Sequence, residues 1–256
     1  MAMTINGSNA DLRIAETPKT LRQLALERMR GAILDFRFKP GERLTERDLC
    51  DRLGVSRSVV REVMRHLEAE HLVQTIPHQG VIVALLDAAQ AAEIYEIRAL
   101  FESSAAHACA ERASDPEIAV LRKALEGIEK GYQVQDHAAV LLATTRFYRA
   151  MFAGARHPIA WEIVERLNGR ISRLRALTIA APERTVSGPA QLRKIYAAIA
   201  AHQPDAAAEA CREHVQSAAI LALESIKAQA AAEQTAQEKP SRGRGSARER
   251  SAKPPF

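Results

Sequence analysis

The sequence predicts a mostly α protein, with an N-terminal winged helix-turn-helix followed by a C-terminal all-α helical bundle. Three observations carry that expectation. Aromatic residues make up 4% of the chain and hydrophobic residues 47%, with Ala, Leu, Arg and Glu recurring at helical spacings. This composition favours helices over a β-sandwich or barrel. The β-prone runs gather in one stretch, Leu72 to Ala84, and past Asp87 the pattern is helical almost without interruption.

The elements follow in order. Between Leu21 and Phe36 the apolar residues Leu24, Leu26, Met29, Ile33 and Leu34 keep helical spacing, and Lys39-Pro40-Gly41 breaks it. Thr45, with Asp48 at the third position, caps a short helix through Leu53 that Gly54 closes. Ser56 caps a third helix to about Glu70, with Val60, Val63, Met64 and Leu67 on its apolar face. The runs Leu72 to Ile76 and Val81 to Ala84, separated by Pro77-His78-Gln79-Gly80, predict a two-stranded wing. Breaks near Asp115-Pro116, Gly131, His157-Pro158, Ser187-Gly188-Pro189 and Gln203-Pro204 divide the rest into about six helices between Asp87 and roughly Ala230. Asp115 before Pro116 reads as a cap. The expected organisation is an N-terminal extension over 1–19, the winged helix over 20–85, the helical domain over 86–230, and a disordered basic tail over 231–256.

Charge and composition exclude several function classes. The net charge is +5, but the segment from Glu238 to Phe256 holds 6 of the 36 basic residues and 2 of the 31 acidic ones. The remainder is nearly balanced, so binding to nucleic acid has to rest on a local pattern. The three cysteines, Cys50, Cys109 and Cys211, match no metal or redox spacing and suit a reducing compartment. No apolar run approaches the roughly 20 residues needed to span a bilayer, and the polar N-terminus lacks a signal-peptide stretch. The expected location is therefore the cytoplasm. With no Gly-rich phosphate loop, no HExxH pair and no nucleophile with an assignable base, neither an enzyme nor a cofactor is expected.

The local pattern lies in the third helix. Arg57, Arg61 and Arg65 recur every fourth residue, on the side away from Val60, Met64 and Leu67. A helix N-terminus set in a major groove would aim Arg57 and Ser58 at base edges, and Arg61 and free backbone N–H groups at phosphates. Taken alone, the arginines could equally form a solvated face; the preceding helix and the wing favour DNA.

The runs Phe38 to Leu49, Leu53 to Glu62 and Glu70 to Val73 resemble the GntR family of bacterial regulators over nearly all of Leu21 to Ala84. The resemblance implies that Arg47, Ser56, Arg57, Ser58 and Arg61 contact operator DNA and that Gly80 lies at the wing tip in the minor groove. Two positions depart from the family pattern: Val59 stands where proline is common, and Gln79 where the wing often has arginine. From about Asp87 to Ile226 the chain is similar to the FCD ligand domain of the FadR-type subfamily, with Ile94 to Glu102 in its opening helix.

Many FCD domains hold a divalent metal with one Asp and three His. Aligned by motif, the Asp position is Thr144, the first His position Tyr148 and the second Leu192, while His214 alone survives. One imidazole does not make a site for an ion that wants three or four protein ligands, so the metal site is expected to be lost. The resemblance then implies an effector cavity around Arg98, Thr144, Tyr148, Leu192 and His214 that takes a carboxylate-bearing molecule. Two positions stay open: Arg98 as a surface residue paired with Glu102, and His214 as a packed core histidine. The resemblance also implies a homodimer on a near-palindromic operator, with repression relieved by effector. The alternative is a ligand-independent or architectural DNA-binding protein.

Overall fold

The computed structural model describes residues 19–85, 87–179 and 181–238. Helix α1 (Leu21–Leu34) starts in a reciprocal capping box, in which Gln23 N donates to Thr20 Oγ1 at 3.2 Å and Thr20 N to Gln23 Oε1 at 2.8 Å. It ends before the expected Phe36, because Phe36 turns left-handed at φ 56 and closes the helix. Its buried face is Ala25, Met29 and Ile33, and Leu24 points outward. Strand β1 (Arg43–Leu44), α2 (Glu46–Leu53), α3 (Arg57–Ala69), β2 (Val73–Ile76) and β3 (Gly80–Val83) complete this half. The expected two-stranded wing is β2 paired with β3, and among the described residues β1 joins it in a three-stranded sheet of order β1-β3-β2. Two residues are too few for β1 to show an alternation in sequence, yet Arg43 pairs with Ile82 and Leu44 with Val81. One core, including Met29, Leu49, Val60, Leu67 and Val83, joins α1, α2, α3 and the sheet.

The second half comprises α4 (Ala88–Arg112), α5 (Asp115–Gln133), α6 (His137–Gly154), α7 (Pro158–Arg166), α8 (Asn168–Ile179), α9 (Pro182–Ala200) and α10 (Pro204–Glu238). Among the described residues that is seven helices where about six are expected. Helices α4 and α10 form the central packed pair. The cap of α5 is Ser114 rather than Asp115: the Ser114 amide and hydroxyl both donate to Glu117 Oε2, at 2.9 and 2.8 Å. The break expected near Gly131 falls just beyond that glycine, between α5 and α6. A Cβ on Gly131 would come within 2.7 Å of Val140 Cγ2, so this glycine lets α6 close onto α5.

Helix α9, by contrast, does not break at Ser187-Gly188-Pro189. Gly188 and Pro189 are buried, and packing on α10, α5, α4 and α8 carries the helix across the hydrogen bond that Pro189 cannot make. An unexpected break at Leu167 separates α7 from α8. Helix α10 continues eight residues into the segment read as tail, since Ala-rich sequence favours helix without needing burial. The rest of that tail, and the extension over 1–18, lie outside the described residues.

The halves meet at one junction. Leu34 packs against both cores. Gly169 lies against the backbone of Glu70, at the end of α3: a Cβ on Gly169 would fall 1.7 Å from the Glu70 carbonyl oxygen. Arg30 holds the Glu70 carboxylate with a two-pronged grip at 2.8 and 2.5 Å, and Arg170 Nη2 approaches His71 Nδ1 at 3.4 Å.

Candidate DNA-reading face and candidate effector site

Helix α3 is amphipathic in the manner its sequence predicts. Val60, Val63, Met64 and Leu67 are buried, while Arg57, Ser58, Arg61 and Arg65 are exposed. Ser56 Oγ accepts from Val59 N at 3.5 Å and lies 2.9 Å from Ser58 Oγ, so both hydroxyls gather at the helix N-terminus beside Arg57. Helix α2 is capped by Thr45 and closed by Gly54 at φ 65, and this turn sets α2 against α3. Arg61 Nε donates to Glu46 Oε1 of α2 at 2.7 Å. That bond, chiefly, keeps the Glu46 carboxyl below its usual range, with Arg57 acting on it at longer distance. Arg47 is exposed on the same helix as Glu46.

The wing is anchored by Glu68, whose Oε1 accepts from Thr75 N at 3.1 Å and Thr75 Oγ1 at 2.7 Å. Its loop closes with Gln79 N donating to Ile76 O at 3.1 Å and Ile76 paired with Gly80. His78 and Gly80 take φ 64 and φ 87, and Pro77, His78 and Gln79 are exposed at the tip. Arg47, Ser56, Arg57, Ser58 and Arg61 are therefore all exposed on the two helices of the helix-turn-helix, and Gly80 ends the wing loop.

The bundle treats charge differently. Arg98 is 1% exposed, not a surface residue, yet it does pair with Glu102: Nε reaches Oε1 at 2.9 Å and Nη2 reaches Oε2 at 3.2 Å. Arg175 of α8 donates from Nη2 to the same Oε1 at 3.4 Å and stacks over the Tyr148 ring at 4.4 Å. Arg98 lies over the Tyr95 ring at 5.1 Å. Burial opposes charge on Arg98, but Glu102 more than offsets it, so the guanidinium pKa rises. Burial, with Arg98 nearby, lowers that of Arg175, and burial raises that of the Tyr148 phenol. Among the described residues, Arg98 Nη1, Arg175 Nε and Tyr148 Oη have no hydrogen-bond partner although all are buried.

The other residues expected in the cavity are placed less closely. Thr144 Oγ1 is occupied by Val140 O of its own helix at 2.8 Å, and Leu192 is buried in the apolar core. His214 is buried with Nδ1 3.2 Å from Gln191 Oε1, and Gln191 Nε2 donates to Ser217 Oγ at 3.0 Å. The structure thus joins Arg98 and Tyr148 to Glu102 and Arg175. Arg175 is the residue the sequence reading missed. Its signal was the run of Arg170, Arg173 and Arg175 interleaved with Ile171, Leu174 and Ile179 in one helix. Among the described residues no group of three or more His, Cys, Asp or Glu is placed to hold a metal ion. A groove of about 1490 Å³ opens between the two halves, lined by residues including Arg30, Glu70, Arg146 and Ser172, and contains none of the cluster.

These features define a winged-helix transcription regulator with an attached helical domain. Residues 21–83 match the bacterial regulatory proteins of the gntR family, and residues 93–217 match the FCD domain. The HTH-type transcriptional regulator YdhC of Bacillus subtilis is 28% identical over 188 residues, 73% of this chain and 82% of its own. An HTH-type transcriptional regulator from the ttuE-ttuC' intergenic region of Agrobacterium vitis is 31% identical over 134 residues, 51% of this chain and 78% of its own. A solved GntR transcriptional regulator from Rhodococcus sp. RHA1 superposes with a TM-score of 0.67 at 25% identity, covering 79% of this chain and 97% of that one. The chain belongs to the gntR family and is a DNA-binding transcription regulator with an FCD domain. Its relatives are regulators rather than enzymes, and among its described residues no helix is long and apolar enough to cross a membrane.

Proposed function

We propose that the protein is a cytoplasmic repressor that binds a near-palindromic operator as a homodimer and is released by a small organic acid held in its FCD domain. Arg57 and Ser58 read base edges, Arg47, Ser56 and Arg61 position the helix on phosphates, and Gly80 brings the wing tip to the minor groove. Swinging Arg61 from Glu46 to a phosphate exchanges one anionic partner for another, at little desolvation cost because both groups are exposed. Two relatives from Escherichia coli, the galactonate operon transcriptional repressor and the transcriptional repressor RspR, support the sign of the regulation.

The observation that carries effector binding is the sealed cluster of Arg98, Arg175 and Tyr148 with three donors unmet. Buried donors without acceptors are costly, and a carboxylate would satisfy them. With Thr144 turned to its own helix and Leu192 apolar, the surroundings favour an acid with an apolar body.

Fluorescence anisotropy on DNA from the gene's own upstream region, against a scrambled duplex, tests this reading. The expected result is sequence-dependent binding that Arg57→Ala weakens by about tenfold to a hundredfold, and that carboxylic acids weaken in the parent protein. Equal binding to both duplexes, falling steeply with salt, would favour the architectural reading. Specific binding that no acid alters would favour ligand-independent regulation, with Glu102 as the permanent occupant of the Arg98 fork.

A further inference from the structure

We infer that the FCD cluster selects acids carrying one negative charge, and that Glu102 sets this limit. The inference rests on reading the cluster as the effector site. It starts from a charge count. Arg98 and Arg175 bring two positive charges and Glu102 one negative charge, and their side chains are 1%, 7% and 0% exposed. Arg98 and Arg175 share a single carboxylate oxygen, Glu102 Oε1. Among the described residues, these three side chains together therefore carry one uncompensated positive charge.

The donor count agrees. Glu102 occupies Nε and Nη2 of Arg98 and Nη2 of Arg175, and Arg98 Nη1, Arg175 Nε and Tyr148 Oη are buried without a hydrogen-bond partner. One carboxylate has two oxygens with about four lone-pair sites, enough for three donors. Binding it brings the cluster to neutrality and offers each of those three atoms an acceptor, which is what lets buried charge be tolerated. A second carboxylate on the same molecule would enter with no positive charge left to meet it. Arg173, the other buried guanidinium of α8, lies two residues from Arg175 on a different side of the helix. His214 is engaged with Gln191.

The test uses the full-length protein at neutral pH, where all carboxyl groups of the probes are ionised. Calorimetry and thermal shift compare acids matched in carbon skeleton: hexanoate with adipate, and benzoate with terephthalate. The expected result is at least about tenfold tighter binding of the singly charged member of each pair. Glu102→Gln keeps the side-chain volume and adds one net positive charge, so it narrows or reverses that preference. Should Glu102→Gln fail to fold, Tyr148→Phe serves instead. It removes one donor without changing charge, weakens the singly charged acids several-fold and leaves the ratio unchanged. Equal or tighter binding of the doubly charged acids to the parent protein overturns the inference and leaves the effector site standing. An unchanged preference in folded Glu102→Gln, or a ratio that collapses in Tyr148→Phe, overturns the charge argument. Failure of every acid to bind or shift melting overturns the effector-site reading, and this inference with it.

Discussion

The two halves of the molecule place their arginines in opposite environments. In the winged helix, Arg47, Arg57 and Arg61 stand in solvent, and the core beneath α3 is wholly apolar. In the FCD bundle, Arg98, Glu102, Arg173 and Arg175 lie inside. An exposed guanidinium keeps most of its hydration, contributes little to folding and is available to a polyanion. A buried one is tolerated only because its partners hold it, so it belongs to the fold as much as to any ligand site. Exposed guanidiniums on the outer face and buried ones inside the bundle thus carry different energetic stakes.

That contrast can be broken by mutation. The largest effect is expected from Glu102→Ala, which strands two buried guanidiniums and costs about 3–5 kcal/mol of folding stability by denaturant titration. Gly169→Ala drives a methyl into the Glu70 backbone and costs about 1–3 kcal/mol, read as a lower melting temperature. Arg57→Ala sharpens the comparison from the other side: its melting temperature should match the parent within about 0.5 kcal/mol equivalent, while its operator binding falls. A large loss of stability there would erase the distinction between the halves.

The smallest effect concerns pH. Arg156 and then the Ser114 amide hold the Glu117 carboxyl down at about 2. Because the folded value lies below the ordinary one, this stabilisation is present in full above about pH 4.5 and fades as pH falls towards 2. The pair is largely exposed, so its contribution to stability is small. Glu117→Gln should remove that part of the acid sensitivity in melting curves taken across this range.

The same contrast explains what was legible in the sequence. Helix α3 alternates exposed Arg57 and Arg61 with buried Val60 and Met64, so both its existence and its orientation show in the spacing. Its caps, Thr45, Gly54 and Ser56, are local signals and were readable as such. Helices α4 and α8 are buried on several sides, and spacing does not say which way a residue faces. Arg98 therefore stayed open between surface and interior, and Arg175 was missed because its partner Glu102 lies 73 positions away. The break expected at Pro189 does not occur: proline disrupts an isolated helix, and here packing against neighbouring helices decides the outcome.

The contact at Gly169 bears on how such regulators could be recombined. A chimera that joins this winged helix to another bundle would bring the Glu70 carbonyl against whatever residue follows the start of the new α8. Any side chain there would hold the halves apart, whatever linker joined them. Exchanging domains within the family would succeed only where glycine travels with the bundle, so one residue without a side chain sets which parts are interchangeable.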